Sequence, residues 1–191
     1  RHLLKKYNYE YRTSVFKTKL RNKGVILSVN FKLTKNEHNL NTKYGSVIDE
    51  INKMGKIPSI LNISKAIISI RSAKLPDPKN IGNSGSFFKN PIISKNTLID
   101  LREKHKNIPF YVHENASVKL SAGWLIEMSG WKGKSHGDAG MHDKQALVLV
   151  NHGNATGEEL WDFAKEVKED VYKNFNINLE PEVNLIGLVN N

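Results

Sequence analysis

The clearest alternation of apolar and polar positions lies between Gly24 and Leu33. In GVILSVNFKL, residues Val25, Leu27, Val29, Phe31 and Leu33 share one face of an extended chain, as a half-buried strand requires. The Asn- and Lys-rich stretch that follows reads as a surface loop, and YGSVIDEINKMG predicts a short helix ending near Gly55. Ser59 is placed to cap a helix through LNISKAIISIRSAK. Pro76 and Pro78 stop that helix, because a proline lacks the amide hydrogen that the next turn needs. KLPDPKNIGNSGS then reads as an irregular link, and the shift to Gly, Pro, Ser and Asn marks a domain boundary near Lys74 to Pro78.

Beyond the boundary, Ser94 is placed to cap a helix through LIDLREKH, and Ser117 to cap another through VKLSAGWLIEMSG. ALVLVN has the run of apolar residues of a short buried strand. Thr156 and Glu159 form a capping-box pattern ahead of EELWDFAKEVKEDVYKNF, where Leu160, Phe163, Ala164, Val167, Val171 and Phe175 recur at helical spacing. INLEPEV reads as a further strand. Helices and strands mixed in this order, without a regular βαβ repeat, predict an α+β fold.

Composition supports a folded globular chain: 39% of the 191 residues are hydrophobic and 25% charged, so neither disorder nor a fibrous architecture is expected. Runs such as AIISI and ALVLV are far shorter than the roughly 18 apolar residues needed to span a bilayer, and no membrane partner is expected. The opening RHLLKKYNYEYR is basic but has neither the apolar run nor the cleavage site of a signal peptide, and it lacks an initiator Met, which suggests a truncated or processed chain. The absence of cysteine excludes disulfides and thiolate chemistry and fits a reducing compartment.

A formal net charge of +10 predicts attraction of an anionic partner. The lysines are dispersed, which is also how a solvated surface looks. No zinc-finger, helix-turn-helix or RNA-binding signature accompanies them, so nucleic acid is not the expected partner.

The most unusual segment for chemistry is GNSGSFFKNP, residues 82 to 91, where glycines flank a serine and two aromatics anchor the chain beyond it. Such a loop can hold the hydroxyl of Ser86 against a ligand, and it can equally be a plain turn packed on the core. It is neither a GxSxG elbow nor a Walker loop, so no hydrolase triad or triphosphatase follows from it. His136 and His142 match no zinc spacing, and no metal site is expected. Glu180 and Glu182 alternate along the chain, which points them to opposite faces of a strand, so that only a buried one of the pair is of interest.

With KLPDP before it and LEPEV far downstream, GNSGSFFKNP resembles the UDP-N-acetylenolpyruvoylglucosamine reductase (MurB) family of peptidoglycan synthesis. The resemblance takes in YRTSVFK at residues 11 to 17 and the KYGS segment around Tyr44, which looks like the tyrosine loop of the type I branch. It extends over the whole chain. It does not extend to the family's amino-terminal half with its glycine-rich flavin loops. The resemblance therefore implies that residues 1–75 are the second part of an α+β flavin-binding domain and residues 76–191 an α+β substrate-binding domain.

The same resemblance implies a cytoplasmic bacterial oxidoreductase, expected as a monomer, that uses NADPH and FAD to reduce the enolpyruvyl ether of a UDP-sugar to UDP-N-acetylmuramate. Ser86 matches the family's proton donor, and Arg12 and Glu182 match the pair set against the enolic carboxylate. Arg12 and Ser86 also fall among the implied flavin contacts. Tyr44, Lys74, Asn90, Tyr111 and Gln145 match sugar-nucleotide contacts, whereas Asn184 stands where some relatives carry arginine. The alternative is a chain that binds the sugar nucleotide only and is inactive without the missing flavin-binding half.

Overall fold

Among the described residues, the helices that start at Ile60, Lys95, Ala122 and Gly157 each begin where a Ser or Thr hydroxyl accepts a free amide of the first turn. The structure, a computed structural model, describes residues 14–43, 45–113 and 117–187. The chain divides into two units, Arg1–Leu40 and Asn41–Asn191. Among the described residues of the first unit, regular structure is limited to a 3₁₀ turn at Val15–Lys17.

The strand expected at residues 24–33 does not form: this stretch carries no regular element and is exposed, with Leu27 at 92% and Val25 at 85%. Alternation is present in the sequence, but a strand forms only against a hydrogen-bonded neighbour, and no described segment pairs with it.

In the second unit, α1 (Val47–Lys53) and α2 (Ile60–Lys74) pack through Val47, Ile51 and Ala66, with Ile63, Ile67 and Ile70 around them. The Ser59 hydroxyl accepts from Asn62 N at the start of α2, and the Ser69 hydroxyl donates to Glu50 Oε1 at 2.7 Å between the two helices. This small cluster is separate from the main core. The chain passes from one to the other through the proline-bearing segment after Lys74.

The main core is built on two antiparallel sheets. One has the order β1 (Gly82–Ser86), β7 (Val148–Asn151), β6 (Ala139–Met141), β5 (Ser135–His136). The other places β4 (Ser117–Leu120) between β2 (Ile92–Ser94) and β3 (Phe110–Val112). The helices are α3 (Lys95–Lys104), α4 (Ala122–Met128) and α5 (Gly157–Phe175), so the fold is α+β, as expected. The buried face of α5, Phe163, Ala164, Val167, Val171 and Phe175, joins Phe88, Leu120, Leu125, Ile126, Met141 and Leu179 in one core.

Three local expectations are corrected. GNSGS is not a link but strand β1, whose register against β7 shifts between Asn83 and Ser86. Gly85 has φ +72°, and its N–H donates to Asn83 Oδ1 at 3.0 Å, so the glycine absorbs an irregularity that lets the strand continue. The cap of α4 is Ser121 rather than Ser117, its hydroxyl accepting from Trp124 N. Val118 and Leu120 are buried, and pairing with strands on both sides outweighs any helical preference of SVKL. INLEPEV contributes only an isolated bridge between Phe88 and Pro181, since a proline has no N–H to extend the ladder.

α5 carries the full capping box. The Thr156 hydroxyl accepts from Glu159 N at 3.2 Å, and the Glu159 carboxylate accepts from Thr156 N at 2.7 Å. Hydrogen bonds from the Thr156 backbone and then its side chain hold the Glu159 carboxyl below the usual glutamate pKa, against smaller opposing effects of burial and Asp138.

Two measurements check this description. Leu125→Ala, at a fully buried position, should lower unfolding free energy in urea by roughly 2–5 kcal/mol, whereas Gly85→Ala, strained by its positive φ in otherwise open space, should cost about 1–2 kcal/mol. For the capping box, protonation removes the preferred charged acceptor, so its stabilisation is complete above the ordinary glutamate pKa and disappears as pH falls through the lowered one. The stability gap between the parent chain and Glu159→Gln should therefore be full at neutral pH and close in acid.

Candidate functional site

On α2, Ile67, Ile70, Arg71 and Lys74 follow the i, i+3, i+4, i+7 spacing that puts side chains on one helix face. All four line a cavity of about 520 Å³. Lys43, Gly45, Ser46 and Val47, at the entrance to α1, line it too, together with Leu75, Tyr111 and Gln145. Among the described residues, three cations, Lys43, Arg71 and Lys74, border this space and no carboxylate does. Ile67, Ile70, Val47 and Leu75 give it an apolar wall. Such a space suits a ligand that has a flat or apolar part and at least two negative charges.

Tyr111 is the middle residue of β3, paired with Lys119 of β4, whose Nζ lies 5.6 Å from the phenol ring centre. Gln145 precedes β7, and its carbonyl accepts from Val148 N at 3.0 Å. A Cβ at Gly123 would lie 3.2 Å from Gln145 Oε1, so the glycine allows Gln145 to lie against the first turn of α4. Asn90 is tied to the same turn: its Oδ1 accepts from Ala122 N at 3.0 Å. Asn90 does not line the cavity, but it shares with Gln145 the helical turn that positions both.

Ser86 and Glu182 do not line this cavity, and the backbone links them through Phe87. Phe87 N donates to Leu147 O at 2.8 Å, and Phe87 O accepts from Glu182 N at 2.8 Å. The residue after Ser86 is thus bonded to β7's approach on one side and to Glu182 on the other. Ser86 is exposed and Glu182 half-buried, while Glu180 is exposed and pairs with Lys89 at 3.0 Å. Of the two glutamates, Glu182 is the less exposed. Arg12 and Tyr44 lie outside the described residues.

A second cavity of about 500 Å³ is bordered by His136, Asp138, Glu159, Asp162 and Glu166. Its acids already have local partners: Asp138 accepts from Asn154 N at 2.8 Å, Glu159 closes the capping box, Asp162 pairs with Lys165, and Glu166 lies 3.0 Å from His136 Nδ1. No group of described residues has the arrangement of a metal site.

The family resemblance points to Lys74, Tyr111 and Gln145 but not to Lys43, Ser46 or Arg71. Arg71 was detectable, since it sits three residues before Lys74 on one helix face. Lys43 and Ser46 had no such signal, because their position depends on how α1 packs on α2.

A sequence model described as "UDP-N-acetylenolpyruvoylglucosamine reductase, C-terminal domain" matches residues 77–186. The protein called UDP-N-acetylenolpyruvoylglucosamine reductase in Flavobacterium johnsoniae is 49% identical over 180 residues, covering 94% of this chain and 53% of its own length. Its namesakes in Amoebophilus asiaticus and Chromobacterium violaceum are 45% and 44% identical, over 96% and 91% of this chain and 56% and 51% of theirs. The chain therefore spans about half the length of the curated relatives it matches. The crystal structure of UDP-N-acetylenolpyruvylglucosamine reductase (MurB) from Thermus caldophilus aligns with a TM-score of 0.40 and 23% identity, over 68% of this chain and 36% of that one. Matched by the family's sequence model over more than half its length, the chain belongs to the UDP-N-acetylenolpyruvoylglucosamine reductase family, through the carboxy-terminal domain.

Proposed function

We propose that this chain binds the sugar nucleotide in an enzyme that reduces the enolpyruvyl ether of UDP-N-acetylglucosamine to UDP-N-acetylmuramate. FAD and NADPH are its redox partners and peptidoglycan precursor synthesis in the bacterial cytoplasm its setting. The observation that carries the reading is the cavity in which Lys74, Tyr111 and Gln145 come together beside Arg71, in a chain whose relatives bear that enzyme's name. In this reading residues 76–191 are the substrate-binding domain and residues 1–75 belong to the flavin-binding domain, and the working unit is a monomer.

The cations of the cavity suit the substrate's diphosphate. The Tyr111 ring offers a face to uracil or sugar, and Gln145 supplies amide donors and an acceptor. Tyr44, next to the cavity in sequence, completes the set, and Asn90 acts at the shared turn of α4. Reduction of a vinyl ether adds a hydride equivalent at one carbon and a proton at its neighbour. Ser86 Oγ is the proposed proton source. A serine hydroxyl is a weak acid, so it serves only when the developing carbanion is strongly basic and the donor is fixed in place. The bonds on both sides of Phe87 provide that fixing. Arg12 and Glu182 are assigned to the substrate carboxylate, where negative charge builds up.

Among the described residues, the connection after β7 does not suit a flavin's diphosphate. This glycine-bearing connection from strand to helix, residues 152–157, would be the place for a dinucleotide's phosphates. There Asp138 already accepts from Asn154 N, and a Cβ on Gly153 would be 2.6 Å from its carboxylate oxygen. Asp138 and Glu159 would repel a phosphate at that point. Ser86 and Arg12 are the residues assigned to the edge of the flavin. This favours a second reading for the isolated chain, as a sugar-nucleotide-binding unit without turnover.

Titration calorimetry tests the substrate site. The chain should bind UDP-N-acetylglucosamine, and Lys74→Ala should weaken that binding roughly tenfold or more with an unchanged circular dichroism spectrum. An unaffected Lys74→Ala chain, or no binding at all, would contradict the site. In preparations that turn over the enolpyruvyl substrate, Ser86→Ala should cut product formation by roughly a hundredfold or more while nucleotide affinity stays within about twofold. Absorbance separates the two readings, since a purified chain that is yellow and oxidises NADPH is not a binding unit only.

A further inference from the structure

We propose that Lys43 is a phosphate-binding residue of the cavity, supplying the diphosphate of the sugar nucleotide with a cation from a different element than Arg71 and Lys74. The inference rests on the cavity being the sugar-nucleotide site. Arg71 and Lys74 both sit in the last turn of α2, where the helix carries the partial negative charge of its unpaired carbonyls. That charge offsets part of the attraction these two cations exert on an anion beside them. Lys43 precedes α1 and is free of this offset.

Its backbone is pinned by a hydrogen bond, with Lys43 N donating to Asn41 Oδ1 at 3.1 Å, a short Asx turn that fixes where the side chain departs. The side chain is exposed, borders the same cavity as Lys74 and Arg71, and makes no ion pair among the described residues. A diphosphate diester carries two charges, and leaving water is costly unless each is met by a cation or donor. A lysine, a compact charge on a flexible stem, suits closing a ligand's open side better than a rigid guanidinium fork.

Binding of UDP and of uridine by the 191-residue chain tests this, with Lys43→Gln and Lys43→Arg as variants. Lys43→Gln should weaken UDP roughly tenfold, leave uridine within about twofold and reduce the salt dependence of UDP binding, while Lys43→Arg stays within about threefold of the parent chain. Unchanged UDP affinity in Lys43→Gln, or equal losses for UDP and uridine, would overturn the role of Lys43 and leave the cavity assignment standing. A parent chain that binds neither ligand would remove the cavity assignment and this inference together.

Discussion

Much of the carboxy-terminal part of this structure depends on the way the backbone is held on both sides of Phe87. Its N–H is bonded to Leu147 O and its carbonyl to Glu182 N, while the adjacent Phe88 is completely buried. Three distant stretches of sequence are joined there: the glycine-rich strand, the approach to β7 and the segment after α5. Buried aromatics make the join costly to undo, because exposing them returns a large apolar area to water. Ser86 is thereby held at the end of a strand rather than on a free loop, and Glu182 arrives within one residue of it along the partner segment. A plain surface turn would hold the hydroxyl less firmly.

The legible parts of the fold were those whose signals are local. Ser59, Ser94 and the Thr156 and Glu159 pair cap the helices as their spacing implies, and the apolar stripe of α5 is the face that enters the core. Signals that depend on a neighbour misled. Residues 24–33 alternate as a strand should, yet a strand is a property of two chains, and no partner lies among the described residues. Ser117 is a good capping residue, but SVKL occupies the centre of a three-stranded sheet. GNSGS has the composition of a turn and forms a strand because one glycine takes the positive φ that the irregular register demands.

The candidate site divides along the same line. Lys74, Tyr111 and Gln145 came from motif resemblance, and the fold brings them to one space although they come from a helix end, an edge strand and a loop. Arg71 could have been added from helical spacing alone. Asn90 has a part that sequence cannot disclose, holding α4 through Ala122 N, so removing it would disturb the turn against which Gln145 lies. The two cavities also sort by charge. Among the described residues, one is bordered by cations without acids and the other by acids already bonded to neighbours, and of the two the first offers an anion more than it could obtain from water.

In the proposed function the cation-lined cavity holds the nucleotide's phosphates. A crystal structure of the chain with UDP-N-acetylglucosamine tests it most directly. The diphosphate should lie against Arg71 and Lys74, with Tyr111 beside the uracil or the sugar. Nucleotide seated in the acidic cavity around His136 and Glu166, or phosphates remote from the end of α2, would contradict it.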